Sequence, residues 1–107
     1  MLIITETRLR DFGNIHKESE SLINAWITTV RAVQWTKFAD VKQTFNSTDS
    51  ANGFLIFNVN SNRIVAGVAY QRATPSGETI GGTLYIRHVF THAEYNAWSA
   101  PKKRKRK

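Results

Sequence analysis

Cysteine is absent from the 107-residue sequence, which excludes disulfides and thiolate metal ligation and is compatible with a reducing compartment. The three histidines are scattered, with none of the paired spacings that a zinc site needs, so no metal and no cofactor is expected. A glycine-rich phosphate loop behind a strand and a serine elbow are also missing, which removes two large enzyme classes. Long apolar runs are lacking too. The opening "MLIITETRLRDF" carries one short apolar stretch followed at once by charges, and fits neither a secretory signal nor a membrane span. A soluble, cytoplasmic protein with no membrane partner is expected.

Acidic residues are few, eight against fifteen basic ones, giving a net charge of +7. That imbalance resembles a nucleic-acid footprint, yet six of the fifteen lie in the final "PKKRKRK". With those set aside, nine basic residues face eight acidic ones. Any polyanion site in the folded part must therefore come from local placement of arginine and lysine, not from bulk charge. The length suits one domain with its own core, expected over residues 1–100, and residues 101–107 read as a disordered basic tail. Three readings of the tail compete: a solvated end, an import signal, or an arm carrying Lys102, Lys103 and Arg104 onto RNA phosphates.

Periodicity changes once along the chain. "LIITE" predicts a short strand, and Leu9, Phe12 and Ile15 recur at helical spacing, with Gly13 weakening that helix and marking a place where it could end. Leu22, Ile23, Trp26, Ile27 and Val30 form one stripe of a helix predicted from Ser19 to Gln34, with Ser19 as its cap. Phe38, Val41 and Phe45 predict a third short helix before the turn-rich "NSTDSANG". Beyond Gly53 the chain turns extended. "FLIFNV" and "RIVAGVAY" read as an antiparallel hairpin through "NSN", and "TLYIRHVF" as another strand after a polar connection interrupted by proline and glycine. "THAEYNAW" predicts a terminal helix capped by Thr91, with Glu94 as its capping-box partner. Helices first and strands afterwards give an α+β class, with N-terminal helices packed on a small antiparallel sheet.

Strict alternation in "TLYIRHVF" places Tyr85, Arg87 and Val89 on one face and Leu84, Ile86, His88 and Phe90 on the other. If Arg63 lies across the pair, two guanidiniums meet on one face, an arrangement that costs free energy unless an anion sits between them. From spacing alone, pairing of each arginine with a carboxylate such as Asp40 or Glu94 is the simpler reading. His92 and Tyr95, three residues apart, share a helical face and combine a proton carrier with a ring that can donate or stack. Packing roles are the plainer alternative for each. His88 reads as a partly buried strand residue, His16 as a solvated one, and Trp26, Trp35 and Trp98 as packing residues.

The ordered fragments "AWITTVRAVQW", "ADVKQTF", "FNVNSNR" and "YIRHVFTHAEY" resemble the HigB toxins, the messenger-RNA-cutting members of the RelE-like toxin superfamily. The likeness runs from about Leu22 to Tyr95, and "THAEY" close behind "YIR" is its most specific part. The turn "NVNSNRIV" departs from the family pattern: it lacks the usual glycine pair and is two residues short, so either Arg63 or Val65 takes the place of the family arginine. A long "ATPSGETIGG" insertion is a second departure that could reshape substrate access.

The resemblance implies a RelE-like fold and an endoribonuclease that cuts mRNA on the translating ribosome, silenced by a HigA-like helix-turn-helix antitoxin. On that reading Arg63 and Arg87 clamp the scissile phosphate, His92 is general acid or base, and Tyr95 orients or stacks on a base. Lys37, Lys42 and Arg72 join the tail as RNA-binding candidates. A non-catalytic RNA- or ribosome-binding relative and a purely structural or partner-binding domain are the rival classes.

Overall fold

The computed structural model describes residues 1–99. Lys102, Lys103 and Arg104 lie outside the described residues. The chain opens with strand β1 (Leu2–Ile4) and helices α1 (Thr7–Ile15), α2 (Lys17–Arg31) and α3 (Phe38–Thr44). Strands β2 (Asp49–Ala51), β3 (Phe54–Val59) and β4 (Asn62–Ala69) follow, then β5 (Arg72–Ala73), β6 (Thr79–Ile80), β7 (Thr83–Phe90) and helix α4 (His92–Ser99). Five strands form one sheet in the order β1-β7-β4-β3-β2, and β5 and β6 make a separate ribbon within the long polar connection. The class is α+β as expected. The sheet is mixed where a wholly antiparallel one was expected, because β1 joins the β7 edge in parallel. Among the described residues no helix is long and apolar enough to cross a membrane.

One sheet face and the first two helices enclose the core. Leu9, Ile23, Val30, Trp35, Phe57 and Ile64 are its most sealed members. Each such side chain contributes roughly 1.5–3 kcal/mol by leaving water. Trp26 meets Phe57 edge-on at 5.1 Å and Trp35 stacks on it at 6.0 Å, so both belong to the core, as the reading of the tryptophans as packing residues expected.

Local expectations and structure part company at several places. Helix α1 runs past Gly13 to Ile15, because at Gly13 the helix lies against Glu20 of α2 and tertiary packing offsets the glycine's low propensity. Helix α2 begins at Lys17, with Glu18 and Glu20 in its positive first turn, so Ser19 is inside the helix and is not its cap. It closes at Arg31, and Gln34 beyond it accepts the Gly82 N–H at 3.0 Å. His16 sits at the α1–α2 junction, half-buried with its ring 4.3 Å from Phe12, and is less solvated than expected. The turn-rich segment before Phe54 contains β2, joined to β3 through Asn52 (φ 53°) and Gly53 (φ 82°), the left-handed pair that a two-residue hairpin demands.

The most consequential departure lies in β7. Val65 pairs with His88 and Ala66 with Ile86, so Arg87 is an extra residue, a bulge opposite the Val65–Ala66 step. Alternation changes phase there. Leu84 and Ile86 face the core, but beyond the bulge it is Val89, opposite the sealed Ile64, that packs on it. His88 and Phe90 therefore turn to the second face, against the assignment that strict alternation gave. Helix α4 covers that face: the Trp98 ring lies 5.4 Å from His88 and 5.5 Å from Phe90.

Candidate functional site

The site grows from the end of β7. The chain reverses at Thr91, whose N–H donates to Glu94 Oε1 at 2.8 Å while Thr91 Oγ1 accepts the Glu94 N–H at 3.2 Å. This reciprocal cap is the one expected from the sequence, and it fixes the direction in which α4 leaves the sheet. His92 is thereby placed at the first helical position, with Tyr95 one turn on. Across the strand pair, Arg63 at the start of β4 faces Phe90. Three side chains from two elements thus meet at one sheet end.

Their geometry is specific. Arg63 Nη2 lies 3.2 Å from His92 Nδ1, and Nη1 donates to the Asn62 carbonyl at 3.2 Å. A guanidinium is always a donor, so a hydrogen bond here requires Nδ1 to accept, which is the tautomer with the ring proton on Nε2. The Arg63 Cζ lies 5.9 Å from the centre of the Tyr95 ring, within cation–π range. His92 is exposed, Arg63 and Tyr95 half-buried, so the group opens to solvent. Val65, the alternative position for the family arginine, is sealed from solvent.

Arg63 is held from behind by a pair that sequence reasoning missed. The buried Asn62 donates through Nδ2 to the buried Ser19 Oγ at 2.7 Å, tying the start of β4 to α2. The serine had every local feature of a cap. Only the partner forty-three positions away shows its use.

Arg87 shares a sheet face with Arg63 but lies over a different ring. It lies on the α4 side of the sheet, the face that alternation from Leu84 and Ile86 gives it, and its guanidinium is 5.7 Å from the centre of the Phe54 ring. Neither arginine is neutralised by a carboxylate among the described residues. The carboxylates proposed as their partners are occupied elsewhere. Asp40 accepts from the Thr36 N–H at 2.9 Å and hydroxyl at 2.7 Å, bonds that hold its carboxyl below the usual range, and Glu94 serves the cap. His88, read as a partly buried strand residue, is that: burial pushes its imidazole below the ordinary value, with Arg8 and Arg87 adding repulsion.

The remaining cations are dispersed. Lys42 Nζ donates to the Thr48 carbonyl at 3.2 Å and also to that of Asn46, holding the connection behind α3. Lys37 precedes α3 and Arg72 lies in the β5 ribbon, both exposed. No hydrogen bond or ion pair joins any of the three to Arg63 or His92. Among the described residues no group of histidine and carboxylate ligands is arranged to hold a metal.

Among the described residues, four helices and a mixed five-stranded sheet fit a small RelE-like fold, the class of toxic components in toxin–antitoxin systems. The family model of the HigB toxins, the RelE-like toxic component of a toxin-antitoxin system, matches residues 19–98, and the chain belongs to that family. It is therefore a toxin of such a system, and the family implies an antitoxin partner. No curated protein matches it. The matched region includes Arg63, Arg87, His92 and Tyr95 and leaves out β1 and α1.

Proposed function

We propose that this toxin is an endoribonuclease that cuts mRNA on the translating ribosome without a metal and so inhibits translation. The observation that carries this reading is the Arg63–His92 contact beside Tyr95, open to solvent and free of any carboxylate. Cleavage by the neighbouring 2′-hydroxyl needs a proton acceptor, a proton donor and cations around a crowded phosphate. In the proposed site Arg63 stabilises the charge that grows on the scissile phosphate. His92 moves the proton, and the Arg63 contact sets the ring's orientation and tautomer. Tyr95 orients the substrate or stacks on a base. Arg87, over the Phe54 ring, holds a phosphate further along the strand.

The reading carries its own partners. A HigA-like helix-turn-helix antitoxin silences the toxin in the cytoplasm, and mRNA and the ribosome are its targets. Lys37, Arg72 and residues 102–104 add non-specific contacts to RNA, and residues 1–100 act as one domain ahead of the basic tail. Lys42 is a weaker candidate, because its ammonium is already engaged by two carbonyls.

Induced expression in a bacterial host, with primer-extension mapping of transcripts, tests the proposal. Wild type is expected to arrest growth and leave discrete cuts within translated messages. His92→Ala and Arg63→Ala are each expected to lose on the order of a hundredfold in cutting rate. Growth arrest without cuts would instead establish a ribosome-binding toxin that does no chemistry.

A further inference from the structure

Helix α4 covers only one end of the second sheet face. Trp98 lies over His88 and Phe90, and Val65, paired with His88, is sealed there. At the other end two rows of paired residues lie side by side, Leu2–Thr83–Ala69 and Ile4–Tyr85–Gly67. Both rows point away from the core, because Ile3 and Leu84, which alternate with them, point into it. Leu2 is 61% exposed, Ile4 39% and Tyr85 43%, so this corner holds three of the six large apolar side chains that the described residues expose. Single apolar residues in water are ordinary, whereas three adjoining on one sheet face form a patch that a partner can cover.

The rim of the patch is cationic. Arg87 leaves the same face and reaches the Phe54 ring, and Arg8 lines a depression of about 420 Å³ together with Tyr85. No carboxylate among the described residues neutralises either guanidinium. RNA would answer the arginines and leave Leu2 and Ile4 in water. A second copy of the chain would bring arginines of its own against them. A segment with an apolar stripe flanked by carboxylates answers both features. Three strands spaced about 4.8 Å apart make a patch about 10 Å across, which is the width of one helix, and a helix there would extend the layer that α4 begins.

We propose that the antitoxin docks on this open half of the sheet, through an amphipathic helix that lays apolar side chains on Leu2, Ile4 and Tyr85 and carboxylates on Arg8 and Arg87. The family implies that an antitoxin exists, and the patch with its unneutralised rim specifies the chemistry of the segment that binds. Arg63 stands four residues along β4 from Gly67, roughly 13 Å at the rise of an antiparallel strand, so the docked helix leaves the Arg63–His92 end open. Silencing then works by withdrawing Arg87 from RNA, not by plugging the reactive end. That link to silencing rests on the nuclease reading; the docking does not.

The probe is the antitoxin encoded beside the toxin gene, produced separately and titrated into the full-length toxin by isothermal calorimetry. Tyr85→Thr and Ile4→Thr keep residues suited to a strand, and each is expected to weaken antitoxin binding by about tenfold or more while RNA cutting by the free toxin is unchanged. Arg8→Glu should weaken binding by a similar factor, and Leu2→Thr repeats the test should either threonine variant fail to fold. His92→Ala toxin should bind the antitoxin as wild type does. Undiminished binding by the folded face variants, or binding lost through His92→Ala, would overturn the proposal. So would a toxin dimer in sedimentation equilibrium that Tyr85→Thr abolishes, or tighter binding to phosphatidylglycerol vesicles than to the antitoxin, since either gives the face to another occupant. Weakened antitoxin binding by the face variants, with no cutting by free wild type, would sink the nuclease reading alone. Cutting by wild type, with full antitoxin binding by those variants, would sink the docking alone.

Discussion

Ser19 and Asn62 form a sealed polar pair whose worth lies in mutual satisfaction. Asn62→Ala strands the serine hydroxyl, and Ser19→Ala strands the amide. Either change is expected to cost about 1–3 kcal/mol of stability in denaturant unfolding, while joint replacement by apolar residues recovers much of it. Additive losses would show that the two groups do not depend on each other. His88 gives the second residue-level expectation. Its folded-state pKa is depressed, so the folded protein resists a proton that the unfolded chain accepts near pH 6.5. Stability from this group is complete above that pH and is lost as pH falls toward the folded value. His88→Phe should therefore flatten the acid side of a stability–pH curve, and an unchanged acid limb would refute the assignment.

Elements with a strong periodic signal were legible in advance. The stripe from Ile23 to Val30, the β3–β4 hairpin and the capping box at Thr91 all follow from local chemistry and are present, whereas Leu22, expected in the same stripe, is exposed. Strand β2 was not legible, because "DSA" is exposed throughout and carries no apolar alternation; only the Asn-Gly turn beside it hinted at a hairpin. Nor was the bulge. One extra residue in β7 leaves every local preference intact yet moves His88, Phe90 and Val89 to opposite faces, and the pairing that reveals it is made with a strand about twenty residues earlier. The cap makes a prediction at this scale. Thr91→Ala removes the acceptor for the Glu94 N–H and should cost about 1 kcal/mol, with loss of helical signal and of His92 placement. An equally stable variant with unaltered RNA cutting would show that α4 is oriented by its aromatic packing instead.

At the scale of the whole molecule, the charge is unevenly divided along the sequence. Residues 101–107 carry six of the fifteen basic side chains, and the remainder is nearly neutral. If the tail is an arm for phosphates, its removal should make RNA affinity fall less steeply with salt, because fewer counterions are released on binding. An unchanged slope would assign it no part in binding. The candidate site was legible as a set of residue types near one another in sequence, Arg87 to Tyr95, joined to Arg63 by the expected antiparallel pairing and by family likeness. Which members actually meet was not, since that depends on strand register. Arg63 reaches His92 and Tyr95, whereas Arg87 reaches Phe54.

The account turns on Arg63 and His92 acting together on one RNA phosphate. A double-mutant cycle on cleavage of mRNA in purified, programmed ribosomes measures this directly. Arg63→Ala, His92→Ala and the double variant should be slowed by similar factors, since groups that work as a unit lose their function once. Losses that multiply would place the two residues in independent roles, and cleavage by the double variant at the wild-type rate would contradict the site altogether.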